Sequence, residues 1–138
     1  MKPVLADTSY YIALLSENDA AHDAAVTWND SLLGGTVVTE YVLIELGNAL
    51  SRSRQRDRYA PFVEEVLSDP DTLFVPASLR LFRRGLELFA ARPDKAWSMV
   101  DCISFVIMKQ RRLTDALTTD EHFHQAGFRA LLRQGGRP

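Results

Sequence analysis

Cysteine is almost absent from this sequence, since Cys102 is the only one in 138 residues. An intramolecular disulfide is therefore excluded, and so is a zinc site that needs two or more thiolates. No apolar run approaches the roughly 18 residues of a membrane span. The apolar residues before Asp7 are too few for a signal peptide. These absences predict a soluble, cytoplasmic protein without a membrane segment.

Lysine is also scarce, and the net charge of −2 does not by itself indicate nucleic-acid binding. Of the 16 basic residues, all but Lys2, Lys95 and Lys109 are arginines. Arginine binds phosphate through a planar fork of donors, whereas a cation at a helix end simply suits the helix dipole. Both interpretations stay open for the three arginine clusters, which comprise Arg52, Arg54, Arg56 and Arg58; Arg80, Arg83 and Arg84; and Arg111 and Arg112.

The length and the composition fit one domain that spans residues 1–138, with a frayed tail over 134–138. Hydrophobic residues make up 46% of the chain and charged residues 25%, an ordinary composition for a globular protein. A domain of this size buries roughly two-thirds of its unfolded surface. Its core is therefore large enough to fold without a disulfide or a structural metal.

Short apolar runs alternate with longer helical patterns along the chain. The runs are apolar at successive positions, which is typical of strands covered on both faces in a parallel sheet. We therefore predict an α/β fold, in which ligands bind beyond the carboxyl ends of the strands. The predicted strands are 3–6, 36–38, 72–75, 116–118 and 128–131, and the predicted helices are 8–16, 19–33, 40–53, 57–68, 78–91, 99–112 and 121–126.

Two aspartates lie where predicted strands end. Asp7 follows the first strand directly, and Asp120 follows the fourth with only Thr119 between. Each has a structural alternative, because aspartate is a common N-cap and a helix is predicted to begin just after both. Thr118 places a hydroxyl near the same strand end as Asp120.

Two further acids lie on predicted helices. Glu45 borders the apolar face formed by Val42, Leu46, Ala49 and Leu50, where a carboxylate is partly desolvated and needs a compensating partner. The alternative is an acid that extends to solvent and pairs with an arginine.

Asp101 lies three residues after Ser98, at the spacing of a capping box. The helix that it opens is apolar nearly all round and is predicted to be buried, so its first turn lies near the sheet.

Each acid has a structural explanation alone, but the four together suggest a metal site. A parallel sheet brings strand ends to one edge, where four carboxylates repel one another by several kcal/mol as an order of magnitude. A hard divalent cation removes that repulsion, and Mg²⁺ and Mn²⁺ both prefer oxygen ligands.

Four stretches of the sequence resemble the PIN-domain ribonucleases, and within them the VapC-type toxins of bacterial toxin–antitoxin pairs. The resemblance covers the chain from about Val4 to Leu131. One stretch alone is weakly specific, whereas four in order in a chain of this length are specific together. They are Ala6-Asp7-Thr8-Ser9, Thr39-Glu40-Tyr41-Val42-Leu43-Ile44-Glu45-Leu46, Ser98-Met99-Val100-Asp101 and Leu117-Thr118-Thr119-Asp120-Glu121-His122-Phe123.

The resemblance implies a three-layer α/β/α sandwich around a short parallel sheet, and metal-dependent cleavage of RNA with Mg²⁺ or Mn²⁺. Asp7 and Asp101 are then expected as the primary metal ligands, Glu45 and Asp120 as the residues that complete the site. The supporting polar positions fall on Ser9 and Thr118. The expected partners are an RNA substrate, a small antitoxin with a segment that covers a groove near the site, and a second copy of the chain.

Two other functions of α/β folds fit this sequence less well. A haloacid-dehalogenase-type phosphatase needs a second aspartate where this chain has Ser9, and a response-regulator receiver needs a lysine at a late strand end. An inactive RNA- or protein-binding module on the same fold stays open as the alternative.

Several residues are predicted to have no part in the site. His122 and His124 are predicted to be ordinary surface residues, and Cys102 a small buried hydrophobe. The predicted role of the aromatic residues Tyr10, Tyr11, Tyr41 and Trp97 is packing. The apolar early helices could alternatively form a dimer interface, and core packing explains their residues equally well. These residues are Tyr10, Tyr11, Ile12, Leu14 and Leu15.

Overall fold

A computed structural model of the chain describes residues 1–133, which form a five-stranded parallel sheet with seven helices around it. The predicted tail at 134–138 lies outside the described residues. The strands are β1 (Val4–Ala6), β2 (Thr36–Thr39), β3 (Thr72–Val75), β4 (Asp115–Leu117) and β5 (Arg129–Ala130). The helices are α1 (Thr8–Leu15), α2 (His22–Ser31), α3 (Glu40–Leu50), α4 (Arg56–Ser68), α5 (Leu79–Ala91), α6 (Met99–Gln110) and α7 (Glu121–Gln125).

The order of the strands across the sheet is β3-β2-β1-β4-β5, and every pairing is parallel. From β1 the chain builds outward to β2 and β3, and then returns to the other side of β1 with β4 and β5. The direction of growth therefore reverses between β1 and β4. In open parallel sheets, a ligand crevice lies outside the carboxyl ends of the strands at such a reversal.

Each face of the sheet has its own apolar core. Val4 and Ala6 of β1 pack into one core with α1 to α4, whereas Leu5 packs into the other with α5 to α7. Val38 and Val37 of β2 divide in the same way. Both faces of the strands are covered, which explains their uninterrupted apolar runs. The predicted α/β/α sandwich is confirmed.

Helix α2 begins at His22 and not at residue 19 as predicted. Asp19 forms a turn before the helix, since its side chain accepts a hydrogen bond from the Ala21 amide at 2.8 Å. The His22 amide also bonds back to the Asp19 carbonyl at 3.0 Å. These bonds give the backbone an alternative to helix, as aspartate commonly does.

Helix α3 ends at Leu50 and not at residue 53. The hydroxyls of Ser51 and Ser53 donate to the carbonyls of Asn48 at 2.9 Å and Leu50 at 3.1 Å, which satisfies carbonyls of the last turn. The predicted core face of this helix is wrong at Ala49, which is exposed. The buried face comprises Val42, Leu43, Leu46 and Leu50.

Helix α5 has two apolar faces. The inner face packs closely on α6 at Gly85, where an added Cβ would lie 2.4 Å from Cγ1 of Ile103. The outer face leaves large side chains between 43% and 67% exposed. They are Leu79, Phe82, Leu86 and Phe89. None of the helices in residues 1–133 combines the length and the apolar character needed to cross a bilayer.

Candidate active site

Asp7 lies at the carboxyl end of β1 and is almost fully buried, at 5% exposure. Although it occupies the N-cap position of α1, its carboxylate is directed to other donors. Oδ2 accepts hydrogen bonds from the hydroxyls of Thr118 at 2.8 Å and Ser9 at 3.2 Å. Thr118 directly follows β4, the neighbour of β1, so the sheet pairing brings the two residues together.

The pKa of Asp7 is raised to about 6. Burial is the largest cause, and the negative charges of Asp101 and Glu45 raise the pKa further, whereas the hydrogen bond from Thr118 opposes the shift. A carboxylate in this environment favours either a proton or a cation beside it.

Glu45 is half-buried on α3 and accepts a hydrogen bond from the Thr8 hydroxyl. Thr8 directly follows Asp7, so this bond ties α3 to the end of β1. Among residues 1–133, no arginine forms an ion pair with Glu45. The described structure therefore does not contain the alternative pairing of Glu45 with an arginine.

Asp101 is buried on the first turn of α6 and forms the predicted capping box with Ser98. The Asp101 amide donates to the Ser98 hydroxyl, and the Ser98 amide donates to Asp101 Oδ2, both at 3.0 Å. The box holds the carboxylate in place at the start of a buried helix. The capping interpretation and a role in the site are therefore compatible for this residue.

Asp120 caps α7, where its Oδ1 accepts a hydrogen bond from the His122 amide at 2.9 Å. Its own amide donates to the Thr118 hydroxyl at 3.0 Å. That hydroxyl also bonds to Asp7, so Thr118 connects the two aspartates that follow β1 and β4. Ser9 joins the same network through the Thr119 amide, at 3.1 Å.

The prediction that His122 is an ordinary surface residue is wrong. Its Nδ1 lies 2.9 Å from Asp101 Oδ2 and 3.3 Å from Asp120 Oδ1, and its side chain is only 23% exposed. Burial lowers the His122 pKa, but the hydrogen bond to Asp101 and the charges of Asp120, Asp101 and Glu121 raise it overall. The sequence signal for His122 is its place two residues after a capping aspartate, which fixes its backbone but not its distance from Asp101.

The other predicted background residues lie outside the site. His124 is exposed, and Cys102 is fully buried on α6, as predicted. Tyr10, Tyr11 and Trp97 are buried in the two cores and cannot serve as an exposed stacking platform.

The structure brings the four predicted acids into one network. Glu45 bonds to Thr8 beside Asp7, Asp7 is joined to Asp120 through Thr118, and His122 bridges Asp120 and Asp101. Ligand atoms of Asp101, Asp120 and His122 lie within 4.8 Å of one another. Asp7 and Glu45 are not part of that group of three among the described residues. Carboxylate oxygens, here buried at Asp7 and Asp101 and half-buried at Glu45 and Asp120, suit a divalent cation such as Mg²⁺ or Mn²⁺.

The arginine clusters divide between the two interpretations left open by the sequence. Arg56 and Arg58 bond to the backbone carbonyls of Ser51 at 2.8 Å and Leu15 at 2.7 Å, which is a structural role. Arg80, Arg84 and Arg111 instead line a cleft of about 460 Å³ beyond the end of β3. Within residues 1–133, none of these three forms an ion pair with a carboxylate.

Comparisons with known proteins agree with this architecture. The PIN domain family matches residues 4–129. No curated protein sequence matches the chain. VapC20 of Mycobacterium tuberculosis, a sarcin–ricin loop cleaving toxin, superposes with a TM-score of 0.82 at 24% identity, covering 91% of this chain and 95% of that one.

Two solved complexes are similar at lower identity. FitAcB of Neisseria gonorrhoeae gives a TM-score of 0.66 at 17% identity, covering 92% of this chain and 94% of that one. DNA-bound VapBC of Salmonella typhimurium gives 0.60 at 15%, covering 94% and 97%. At these identities the likeness shows a shared fold.

Proposed function

This chain belongs to the PIN-domain family, and we propose that it is a divalent-metal-dependent endoribonuclease that hydrolyses RNA phosphodiester bonds. The network of four carboxylates at the reversal between β1 and β4 carries the proposal. Its central member, Asp7, is buried with the charges of Asp101 and Glu45 nearby. That arrangement is costly unless a cation is bound or Asp7 is protonated. The proposed cation is Mg²⁺ or Mn²⁺.

Asp7 and Asp101 would hold the cation, with Glu45 and Asp120 completing the site. When bound, the metal supplies a nucleophile at neutral pH and stabilises the charge that develops on the phosphoryl oxygens and the leaving oxygen. The hydroxyls of Thr118 and Ser9 fix the Asp7 carboxylate by hydrogen bonds. Glu45 or Asp120 orients the attacking water and accepts its proton.

RNA is the substrate class that these observations support. The cleft lined by Arg80, Arg84 and Arg111 offers guanidinium groups without carboxylate partners among the described residues. Such groups bind phosphate oxygens through paired N–H donors. The structural neighbour VapC20 is a toxin that cleaves the sarcin–ricin loop, which is consistent with an RNA substrate here.

We further propose that the chain, as one domain, is the cytoplasmic toxin of a toxin–antitoxin pair, with a small antitoxin that covers a groove near the site. Two of the structural neighbours are VapBC and a toxin–antitoxin complex of Klebsiella pneumoniae, which supports an antitoxin partner. We also propose a homodimer. The apolar face of α1 is not free to form the interface, because Tyr10, Tyr11 and Leu15 pack in the core. The exposed face of α5 fits a second copy better.

The test of the nuclease proposal removes one carboxylate at a time. We expect the purified D7N and D101N variants to cleave RNA at least 100-fold more slowly than the wild type with Mg²⁺ or Mn²⁺. D23N is the matched control, because Asp23 is exposed on α2, and it should retain the wild-type rate. Circular dichroism establishes that each variant is folded.

Cleavage at the wild-type rate by either folded site variant would contradict the mechanism. Calorimetry with Mg²⁺ or Mn²⁺ addresses the alternative directly. Absence of cation binding by the wild type would favour the inactive RNA- or protein-binding module.

A further inference from the structure

His122 touches both of the acids that flank it in space, and the direction of these contacts can be assigned. Nδ1 lies 2.9 Å from Asp101 Oδ2 and 3.3 Å from Asp120 Oδ1. Both partners are carboxylate oxygens, and ionised carboxylates only accept hydrogen bonds. Nδ1 must therefore carry the proton when both are ionised, which the neutral Nδ1–H tautomer already satisfies.

The contact leaves one oxygen of Asp101 available. Oδ2 receives hydrogen bonds from the Ser98 amide at 3.0 Å and from His122 at 2.9 Å. Within residues 1–133, no hydrogen bond reaches Asp101 Oδ1. Two donors that converge on one oxygen fix the plane of the carboxylate and present the other oxygen to a ligand.

Asp120 is fixed by the same residue through a different group. The His122 amide donates to Asp120 Oδ1 at 2.9 Å, while the imidazole lies against the same oxygen. The residue thus constrains two carboxylates that come from different elements, α6 and the start of α7. Phe123 anchors α7 beside it, because its ring is fully buried and packs edge-on against Phe105 at 4.9 Å between centroids.

We propose that His122 is a positioning residue, which holds the carboxylates of Asp101 and Asp120 in the orientation that binds the divalent cation. The inference rests on the proposed function, because the cation is what the two carboxylates are positioned to bind. Groups that hydrogen-bond to metal ligands commonly set metal affinity, and their removal typically costs about 10–100-fold in affinity or activity.

Three substitutions of His122 separate positioning of the carboxylates from mere filling of space. Asparagine places its amide nitrogen near the position of Nδ1, whereas glutamine places its amide nearer to Nε2. We therefore expect H122N to keep the hydrogen bond to Asp101, and H122Q and H122A to lose it. H124A is the matched control, since His124 is exposed on the same short helix.

The measurement is Mn²⁺ affinity by calorimetry on the full chain, together with kcat and KM for RNA cleavage. We expect H122A and H122Q to bind Mn²⁺ about 10–100-fold more weakly, while H122N and H124A stay near the wild type. The KM for RNA should be unchanged, and saturating Mn²⁺ should restore most of kcat.

The outcomes distinguish this inference from the function on which it rests. A wild type that binds no Mn²⁺ and cleaves no RNA overturns the proposed function. A wild type that does both, with H122Q equal to it, overturns only the role of His122. Equal losses in H122N and H122A also overturn it, because a hydrogen-bond donor at the position of Nδ1 would then not be what the site requires. If H122A fails to fold, the comparison of H122N with H122Q still decides.

Discussion

Asp7 shows how one residue connects folding with chemistry. Most aspartates are exposed to solvent, but Asp7 is buried at the carboxyl ends of β1 and β4. Its carboxylate accepts hydrogen bonds there from the hydroxyls of Thr118 and Ser9. Its pKa of about 6 means that the metal-free protein resists ionisation of this side chain. Burial would strengthen the attraction of Asp7 to a cation. When no cation is bound, the same burial destabilises the folded protein with Asp7 ionised.

We predict that the metal-free protein becomes less stable as the pH rises from about 4 to about 7. The folded-state pKa of Asp7 is about 6 and the unfolded value is 3.8. In this window the folded chain binds more protons than the unfolded chain, so rising pH favours unfolding. Protonated Asp7 adds about 3 kcal/mol, as an order of magnitude, to the free energy of unfolding. This contribution is fully present below the unfolded pKa and is lost as the pH rises through the folded pKa of about 6.

Urea unfolding in EDTA, at pH 4 and pH 8, measures this effect. D7N removes the titration and should be more stable than the wild type at pH 8, but not at pH 4. D23N should follow the wild type at both values, since Asp23 is exposed on α2. If D7N gives no added stability at pH 8, burial of the Asp7 charge is not the source of the pH dependence.

At this scale the sequence identified the four acids as candidates but did not indicate how they are held. Asp7 and Asp120 were identifiable because they follow strands, and Asp101 because of its spacing from Ser98. His122 was missed, because its contact with Asp101 depends on how α7 packs against α6. No local pattern in the sequence determines a contact between residues 21 positions apart.

Among the elements, α5 and α6 approach each other closely at Gly85. Gly85 has no side chain, and Ile103 of α6 occupies the space beside it. A glycine within a helix normally costs up to about 1 kcal/mol relative to alanine. Here the close approach of the two helices favours glycine.

We predict that G85A destabilises the protein by about 1–2 kcal/mol, because an added Cβ would lie 2.4 Å from Ile103 Cγ1. In an I103A background the same substitution should stabilise, since the obstructing side chain is gone and alanine is the better helix former. Chemical unfolding of the wild type, G85A, I103A and the double variant gives the coupling free energy between the two positions. A stabilising G85A in the wild-type background would show that the helices can move apart at little cost.

The elements were predictable in number, type and order, but less so at their ends. Apolar periodicity located every strand and helix, because each has at least one face in a core. The ends of α2 and α3 depend on side-chain to backbone bonds made by Asp19, Ser51 and Ser53. Those residues fit either a continuing helix or a turn, so periodicity alone does not decide.

For the whole molecule, the exposed apolar face of α5 is a surface that one chain leaves uncovered. Its members Leu79, Phe82, Leu86 and Phe89 recur every three or four residues, so they form one stripe on the helix. A stripe of this kind commonly marks an interaction site. A two-fold axis near its middle would place Phe82 of one copy against Phe89 of the other, and a second copy would thus cover it.

We predict that the wild type is a dimer of about twice 15.5 kDa in solution and that F82S/F89S is a monomer. Light scattering coupled to size-exclusion chromatography measures the mass. L33S is the control, because Leu33 is 81% exposed away from this stripe. A wild-type monomer would exclude the homodimer, and a dimeric F82S/F89S would place the interface elsewhere.

The position of β1 between β2 and β4 has a consequence for synthesis of the chain. The carboxylate of Asp7 is synthesised 111 residues before its hydroxyl partner Thr118, and Asp120 follows Thr118. A nascent or truncated chain that stops before β4 has three strands in place and an incomplete site. Translation itself therefore delays the assembly of this site until β4 and Asp120 have left the ribosome.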